Sequence, residues 1–356
     1  MKKFFNSLVI FFFFHYASHS QGCVAVRAIA GFGQYGQMEY NSSSSKWFMN
    51  LNNRYFRSFR TFKGTADQHT PRKEEVINKV FTSDITLLRL LDNGWSLTLD
   101  VPVIAASRST TFEHGGKRHA THSFGLGDLR FTVYKWLADP LTHAKGNAQL
   151  GLGIKLPTGD YKFRDYYYVN DSTRMLNPVD QSIQLGDGGT GIIAELNAFY
   201  AIGRSIHLYG NIFYMANPRE QNGVTTAKNG PVSALLMKVG GEVMSVPDQY
   251  TIRAGIKYMP KNFGAEAGIR AEGVPPNDLI GASGGLRRAG YNVSVEPGIS
   301  YKMKNCLLYA YVPVSLKRSI SQSVTDKKIT NITGTYTISP GGYADYLVFA
   351  GISFKL

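Results

Sequence analysis

Polar and apolar residues alternate with a period of two over long stretches of this chain, and this pattern constrains the fold more than any other feature. In residues 147–156, Ala and the Leu and Ile residues occupy one face, while Asn, Gln, Gly and Lys occupy the other. The same alternation recurs in residues 190–202, 250–258, 263–271 and 345–356. Because successive side chains of a β-strand point to opposite faces, the pattern predicts an all-β protein whose strands separate two different environments.

The composition of the two faces distinguishes a membrane barrel from a secreted β-sandwich, which shows the same alternation. The polar face repeatedly carries Gly beside a charged residue, as with Gly264, Glu266 and Arg270. Such a mixture suits a narrow lumen that side chains from opposite walls must share. The apolar face has aliphatic residues in mid-strand and aromatic residues toward strand ends, like the interfacial girdles of outer-membrane barrels. We therefore predict an all-β fold, a transmembrane antiparallel up-and-down β-barrel.

The connections between strands fall into two length classes. Asp92-Asn93-Gly94, Gly203-Arg204 and Lys304-Asn305 are predicted to be tight turns. Longer polar segments lie between them, at residues 64–76, 113–123, 160–189, 217–231 and 318–344. Short turns at one end and long loops at the other are typical of bacterial barrels, so the short turns and both termini are predicted to be periplasmic.

The number of strands is less directly determined by the pattern. Roughly 13 candidate strands can be counted, whereas a closed single-chain bacterial barrel has an even number. The ambiguity lies between residues 217 and 290, because the stretch from Gly273 to Gly290 contains Pro275-Pro276 yet is too long for a periplasmic turn. We predict about 12 strands, with about 14 as the alternative.

The first twenty residues have the parts of a secretory signal peptide. Lys2 and Lys3 precede an apolar run at residues 8–14, and small residues just before Gln21 suit cleavage at that point. The run is too short for a membrane-spanning helix, which needs about 20 apolar residues. The chain is therefore divided into a signal peptide (1–20), a Gly/Ser-rich periplasmic or luminal segment (21–45) and a transmembrane barrel (46–356) in the outer membrane of a Gram-negative cell.

Cys23 and Cys306 are the two cysteines, and they are too few and too far apart for a disulfide-stapled scaffold or a common zinc motif. Cys306 follows the short turn Lys304-Asn305, and Cys23 lies near the expected mature N-terminus. If both are periplasmic, they lie where disulfides form and persist, so a Cys23–Cys306 bridge is a hypothesis. The alternative is a small apolar Cys306 at a strand start and an unbridged Cys23.

Two short motifs resemble a known family. Gly125-Leu126-Gly127-Asp128 is followed, one hairpin later, by Leu156-Pro157-Thr158-Gly159. This pairing resembles the outer-membrane family named for the meta-pathway of phenol degradation, in which a G-x-G-D strand start precedes a strand ending in L-P-T-G. The resemblance implies a β-barrel that transports aromatic compounds. The motifs that carry the resemblance lie within residues 125–160. A purely structural role explains them equally well, because Pro cannot donate to a strand ladder and therefore ends a strand.

Polar residues on the predicted inward faces are the candidates for lining the lumen. They are Asp84, Asp100, Asp128, Arg130, Gln149, Lys155, Glu195, Asn197, Lys238, Glu242, Arg253, Lys257, Glu266, Arg270, Glu296 and Asp345. Their acidic and basic members nearly balance, which predicts a salt-bridge network that fills a narrow barrel instead of a wide pore. The formal net charge of +14 includes Lys2 and Lys3 of the signal peptide, and the remaining positive excess lies mainly in loops and strand ends, where lipopolysaccharide phosphates are expected partners and nucleic acid is not.

Three functions are compatible with such a barrel. The first is passive transport of a small, aromatic or hydrophobic molecule, and this is the function we predict. The second is a structural or adhesive role for the long loops without transport. In either case the expected partners are outer-membrane lipid, lipopolysaccharide and the barrel-assembly machinery.

A barrel enzyme is the third and least supported function. His114, His119 and His122 lie near Ser123 and Glu113, but proximity along a loop does not provide the convergence that a catalytic set requires. The histidines also lack a fixed metal-ligand spacing. No catalytic residue, metal or cofactor is predicted.

Overall fold

The computed structural model describes residues 21–22 and 46–356. Twelve strands form one antiparallel sheet, two of them in two pieces. They are β1 (Trp47–Lys63), β2 (Ile77–Leu90), β3 (Trp95–Thr110), β4 (His119–Leu126 and Arg130–Trp136), β5 (Gly146–Lys155), β6 (Gly191–Ala201), β7 (Ile206–Ala216), β8 (Gln249–Tyr258), β9 (Phe263–Val274), β10 (Gly290–Lys302), β11 (Cys306–Tyr311 and Val314–Ile320) and β12 (Gly341–Lys355). β12 pairs with β1, from Phe48 opposite Lys355 to Phe62 opposite Gly341, and this closes the barrel. The predicted fold and the predicted 12 strands are confirmed.

The two ends of the barrel differ in the length of their connections. At one end, β2 turns into β3 through Asp92–Gly94, where Asn93 has φ 57° and Gly94 has φ 74°. Two consecutive positive φ values suit the right-handed twist of a hairpin, and Asn and Gly adopt them readily. At the other end the connections are residues 64–76, 111–118, 156–190, 217–248, 275–289 and 321–340.

Three details of the predicted loops are wrong. The loop predicted at residues 217–231 extends to residue 248. Residues 119–123 belong to β4, so the loop before it is shorter than predicted. Residues 275–289 form a further long connection at the same end as the others, between β9 and β10. The stretch from Gly273 to Gly290 therefore contains no extra strand, which removes the ambiguity in the strand count.

Burial alternates along the strands because only their inner side chains are covered. In β5, Leu150 and Leu152 are 48% and 69% exposed, whereas Gln149 and Lys155 are 5% and 1% exposed. The outward face carries exposed aromatic residues near both ends of the barrel. Toward the short turns they are Trp47, Trp95, Tyr200, Tyr258, Phe263 and Tyr301, and toward the long connections they are Tyr55, Phe81, Phe124 and Tyr346. These positions match the two interfacial girdles of a membrane barrel.

The long connections contain secondary structure of their own. Residues 156–190 include a hairpin of Arg164–Tyr168 and Arg174–Pro178. Residues 217–248 include the helix α1 (Ala234–Lys238) and a second hairpin, Gln221–Thr225 with Val243–Ser245. A ten-residue helix, α2 (Val324–Thr333), lies between β11 and β12. Within residues 46–356, no helix is long and apolar enough to cross a membrane.

The N-terminal region is described only at Gln21–Gly22. These two residues pair in parallel with Gly341 and Gly342, at the end of β12 that borders the long connections. Residues 1–20 and 23–45 lie outside the described residues. The signal peptide and most of the Gly/Ser-rich segment therefore stay predictions. The prediction that the mature N-terminus lies at the short-turn end is wrong, because Gln21 and Gly22 pair at the opposite end of β12.

Candidate functional site: the barrel lumen

One part of the long connection between β5 and β6 folds into the barrel. Residues 179–189, called the luminal segment below, are all buried except Ser182, which is half-buried. Side chains that line the inside of the wall contact this segment from one side, as when Ser182 Oγ donates to Asn78 Oδ1 at 3.4 Å. The other connections contact it from the opposite side, where Gln181 Nε2 donates to the Ser245 carbonyl at 2.8 Å. The luminal segment thus crosses the lumen near its long-connection end.

Asp180 anchors the start of the luminal segment. Its carboxylate accepts from Arg288 Nη2 at 2.6 Å and lies 3.9 Å from Arg108 Nη1. Arg108 is fully buried on the inner face of β3 and also donates to Glu113 Oε1 at 2.9 Å. Burial opposes ionisation of Asp180, but the neighbouring Arg108 and Arg288 guanidinium groups hold its pKa well below its usual range.

Lys155 and Asp128 anchor the end of the luminal segment. Lys155 Nζ donates to the carboxylate of Asp187 and lies 3.7 Å from Asp128 Oδ2. Asp128 accepts from the backbone N–H of Asp187 at 3.2 Å and from that of Gly159 at 3.0 Å. Thr158 Oγ1 accepts from the Leu129 N–H at 2.9 Å. The two motifs singled out in the sequence therefore meet, and together they position the luminal segment.

Apolar side chains of the luminal segment pack between these two anchors. Val179, Ile183 and Leu185 are at most 2% exposed. They belong to one buried cluster with side chains from several strands, namely Phe56, Val80, Ile104, Ala106, Leu307, Tyr309, Tyr311, Ala344, Leu347 and Phe349. The luminal segment is thus held by apolar contacts in its middle and by ion pairs at its two ends.

Below the luminal segment, arginines and aromatic rings line one wall. Tyr311 stacks on Phe349 with ring centroids 4.6 Å apart. Arg253 lies 5.2 Å from the ring of Tyr311, and Arg270 lies 5.3 Å from that of Phe349. Glu296 bridges the two guanidinium groups, accepting from Arg253 Nε at 2.8 Å and from Arg270 Nη1 at 3.4 Å. Arg270 also donates to Glu272 Oε2 at 2.8 Å, so two arginines and two carboxylates balance in charge around the stacked rings.

The opposite wall is a network of hydrogen bonds between strands. Arg130 lies 3.5 Å from Asp84, and Tyr134 donates to Glu195 Oε2 at 2.7 Å. Asn211 donates to Glu195 Oε1 at 2.9 Å and to Asn197 Oδ1 at 2.7 Å. Such contacts tie neighbouring strands together and fill the space inside the barrel.

The structure places most of the predicted lumen residues on the inner face. Buried there are Asp84, Asp100, Asp128, Arg130, Gln149, Lys155, Asn197, Arg253, Lys257, Glu266, Arg270 and Glu296. Glu195 faces the same space and is half-buried. Asp345 lies near the mouth, where Arg60 and Arg318 donate to it at 3.2 and 2.6 Å.

Two of the predicted lumen residues are not on a barrel strand. Lys238 is exposed at the end of α1, and Glu242 lies just before the strand Val243–Ser245 of the connecting hairpin. Their assignment failed because the residues around them were interpreted as a barrel strand, although they form part of a long connection. Neither side chain can then line the wall.

Other luminal residues were not predicted from the sequence. Arg54 continues the inward alternation after Asn50 and Asn52 on β1, so the period of two contained its signal. Tyr309 and Tyr311 point inward, contrary to the expectation that strand aromatics face outward. No periodic pattern marks Asp180, Asp187 or Arg288, because they lie in connections and reach the lumen through tertiary folding.

The histidine cluster does not converge on a catalytic arrangement. His122 points outward with its side chain 69% exposed, while the adjacent Ser123 points inward and donates to the Ile183 carbonyl. Glu113 is engaged by Arg108, and His114 stacks on Tyr167 at 5.4 Å. Among the residues that the structure describes, no group of three or more His, Cys, Asp or Glu residues is placed to hold a metal ion.

A solved structure of similar fold is known, although no sequence match was found. No protein-family model and no curated protein sequence matches this chain. The structure is similar to that of an outer membrane channel from Pseudomonas putida, with a TM-score of 0.57 and 8% identity over 89% of this chain and 98% of that one. At this identity, the similarity shows a shared fold.

Two further structures resemble the chain more weakly. One is the CymD monoaromatic hydrocarbon channel, with a TM-score of 0.43 and 8% identity over 91% of this chain and 93% of that one. The other is the toluene transporter TodX of P. putida, with a TM-score of 0.42 and 9% identity over 92% and 93% of the two chains.

Proposed function

We propose that this protein is an outer-membrane channel for the passive entry of small hydrophobic or aromatic molecules, closed at rest by its luminal segment. The observation that carries the proposal is the luminal segment itself, which belongs to a connection and not to the wall. Because it is held by side-chain contacts at Asp180 and Asp187, it can leave the lumen without breaking the strand ladder. The P. putida protein of the same fold is described as an outer membrane channel, which supports this function.

The inner surface supports a hydrophobic or aromatic solute. Val179, Ile183 and Leu185 cover the apolar cluster around Phe349, so displacing them exposes an apolar surface inside the barrel. The stacked rings of Tyr311 and Phe349 belong to this cluster, so a solute that displaces the segment meets aromatic as well as aliphatic side chains. Resemblance to the phenol meta-pathway family points to the same class of solute.

Removal of the luminal segment tests the proposal. Residues 179–189 are replaced by a Gly/Ser linker of equal length, and the refolded protein is reconstituted into planar bilayers and liposomes. We expect low conductance for the wild type and a conductance increase of at least about tenfold for the variant. Entry of toluene into the liposomes is expected to accelerate in parallel.

A surface replacement provides the matched control. Residues 327–337, which include most of α2 and are exposed or half-buried, are replaced by a Gly/Ser linker of the same length and lie outside the luminal segment. This control is expected to conduct like the wild type. A luminal-segment variant that is folded, as judged by heat-modifiable migration, but conducts no better than the wild type would contradict the proposal.

An adhesive or structural role is the second candidate, and exposed apolar residues on the long connections favour it. Leu279 is 72% exposed, Tyr336 is 69% exposed and Met237 is 52% exposed. Such side chains provide contact area for a partner at the cell surface. A wild-type protein whose luminal-segment variant stays closed, and which binds cells or matrix through these connections, would favour this second role.

A further inference from the structure

The outward face of β1 to β4 carries a row of basic residues next to the long connections. Strand register sets Arg57 opposite Lys79, Lys79 opposite Ser107, and Ser107 opposite His122. Arg57, Lys79 and His122 are all exposed. Residues directly opposite each other on one face have Cβ atoms about 5 Å apart, and like charges at that distance are unfavourable. This row therefore favours binding of an anion.

Few carboxylates offset this positive charge. Arg164, from the hairpin of residues 164–178, lies beside the row at the rim of a shared groove. Within residues 46–356, Arg57, Lys79 and Arg164 form no salt bridge. Asp165 is the acidic residue of the groove, and it accepts from the His122 backbone N–H at 2.7 Å and lies 3.8 Å from His122 Nδ1. The charge of the cluster thus stays positive.

One step toward the short turns, the same strands carry an apolar row. Tyr55 is opposite Phe81, Phe81 is opposite Ala105, and Ala105 is opposite Phe124. The three aromatic residues are 40%, 43% and 70% exposed in this order. Because Ala105 is small, it leaves a hollow between the rings, and the resulting groove has a volume of about 700 Å³. Phe163 lines the groove beside the basic residues.

We infer that this groove binds lipid A of the outer leaflet, with a phosphate on Arg57, Lys79 and Arg164 and an acyl chain over Ala105. The order of the two rows matches that of the lipid, because phosphate lies farther from the membrane centre than the acyl chains. Arginine and lysine both bind phosphate well. The long connections of a bacterial barrel lie outside the cell, so the groove faces the leaflet that holds this lipid.

Lipid retention tests the phosphate contacts. The refolded mature protein is incubated in detergent with bisphosphorylated lipid A or its dephosphorylated form, and bound lipid is measured by native mass spectrometry. We expect the wild type to retain the bisphosphorylated form at least about fivefold better. The combined variant Arg57→Gln, Lys79→Gln, Arg164→Gln is expected to lose this preference.

Three basic residues at the other girdle provide the matched control. Arg89, Lys135 and Lys145 each lie over an outward aromatic ring near the short turns, at 4.9, 5.1 and 5.8 Å from Trp47, Trp95 and Tyr200. Their combined replacement by Gln removes the same charge and is expected to keep the preference for phosphorylated lipid A. Equal loss in both triple variants would mean a non-specific charge effect and would overturn the inference.

Filling the hollow tests the acyl-chain contact separately. Ala105→Phe is expected to reduce retention of both lipid forms severalfold, since the added ring occupies the groove. Ala267→Phe, at an exposed outward position on β9, is the control and is expected to retain lipid like the wild type. Unchanged retention by a folded Ala105→Phe variant would contradict the proposed acyl-chain site.

Discussion

At the scale of single residues, the two faces of a strand lie in different environments, lipid on the outside and polar side chains on the inside. Leu152 is 69% exposed on the outward face of β5, and Gln149 is 5% exposed on its inner face. An arginine near the middle of the outward face would lose its hydration in the hydrocarbon of the membrane. At an inner position it would find carboxylates and amides as hydrogen-bond partners. The same substitution therefore has different consequences at the two positions.

We expect Leu152→Arg to lower the free energy of unfolding by about 2–4 kcal/mol in a bilayer. Gln149→Arg is expected to cost less, because the added charge stays inside the barrel. Urea titration of the refolded variants in liposomes measures both values. Equal destabilisation by the two substitutions would show that the faces are wrongly assigned.

The buried charge of Lys155 gives a second prediction. Its ammonium group lies between the carboxylates of Asp128 and Asp187, so Lys155→Met leaves two buried acids without their cation. Removing one partner of a buried pair typically costs about 3–5 kcal/mol. We expect that loss in the free energy of unfolding, against a change within about 0.5 kcal/mol for Lys145→Met at an exposed site. Similar values for the two variants would contradict the role of Lys155.

His114 gives a prediction for acid pH. Burial lowers its pKa to about 4, and its Nδ1 accepts from the Tyr168 backbone N–H at 3.3 Å, which requires the neutral ring. Its contribution to stability is complete above the unfolded pKa of about 6.5 and is lost as the pH falls toward 4.

The expected result is a severalfold faster proteolysis of the connections at residues 111–118 and 164–178 at pH 4.5 than at pH 7. In His114→Gln, whose amide oxygen can accept the same hydrogen bond without titrating, this pH dependence should largely disappear. An acid-stable protease acting on intact proteoliposomes provides the measurement. The same acceleration in wild type and variant would exclude His114 as its cause.

At the scale of elements, the sequence predicted the wall better than the contents of the lumen. A period of two is a local property, so the faces of β5 and β9 could be assigned from neighbouring residues alone. The luminal segment has no such period, and its ionic partners are far away in sequence, as with Asp180 and Arg288. Inward aromatics such as Tyr311 were missed because proximity to a strand end does not determine which face a ring occupies.

The connection after β5 depends on close backbone approach at Gly159. A Cβ on this residue would lie 2.8 Å from the Leu185 carbonyl oxygen and 2.9 Å from the Gly186 nitrogen. Gly159→Val therefore forces the luminal segment away from the wall. Under the proposed function, we expect a conductance increase of severalfold in planar bilayers.

Gly203 is the control for Gly159, because a Cβ there meets no atom within 4 Å. Gly203→Val, in the short turn between β6 and β7, is expected to conduct like the wild type. Unchanged conductance of a folded Gly159→Val variant would show that this contact does not hold the segment in place.

At the scale of the whole molecule, processing and the two cysteines give a linked prediction. We expect the mature chain to begin at Gln21, to reside in the outer membrane and to show heat-modifiable migration on gels. Cys306 is half-buried at the start of β11, at the short-turn end, and Cys23 lies outside the described residues. Gly22, the neighbour of Cys23, pairs with Gly342 at the long-connection end, whereas Cys306 pairs with Phe354 at the short-turn end. A disulfide needs Cα atoms within about 7 Å of each other, so this geometry disfavours the Cys23–Cys306 bridge.

Thiol counting under denaturing, non-reducing conditions measures the bridge directly. Protein exported through the periplasm is expected to contain two reactive thiols before reduction. No reactive thiol before reduction and two after it would contradict this expectation and support the disulfide. Recovery of the full-length chain from the inner-membrane fraction would contradict the predicted signal cleavage.

The luminal segment is covalently joined to β5 at one end and to β6 at the other. Any solute that enters the barrel must therefore compete with this tethered segment for the same space. A tethered occupant returns to its site with an effective concentration on the order of millimolar, whatever the amount of protein present. The local concentration of this competitor therefore stays constant when the protein is diluted. Entry from micromolar solution then requires either tight binding inside the barrel or a separate event that first withdraws the tethered occupant.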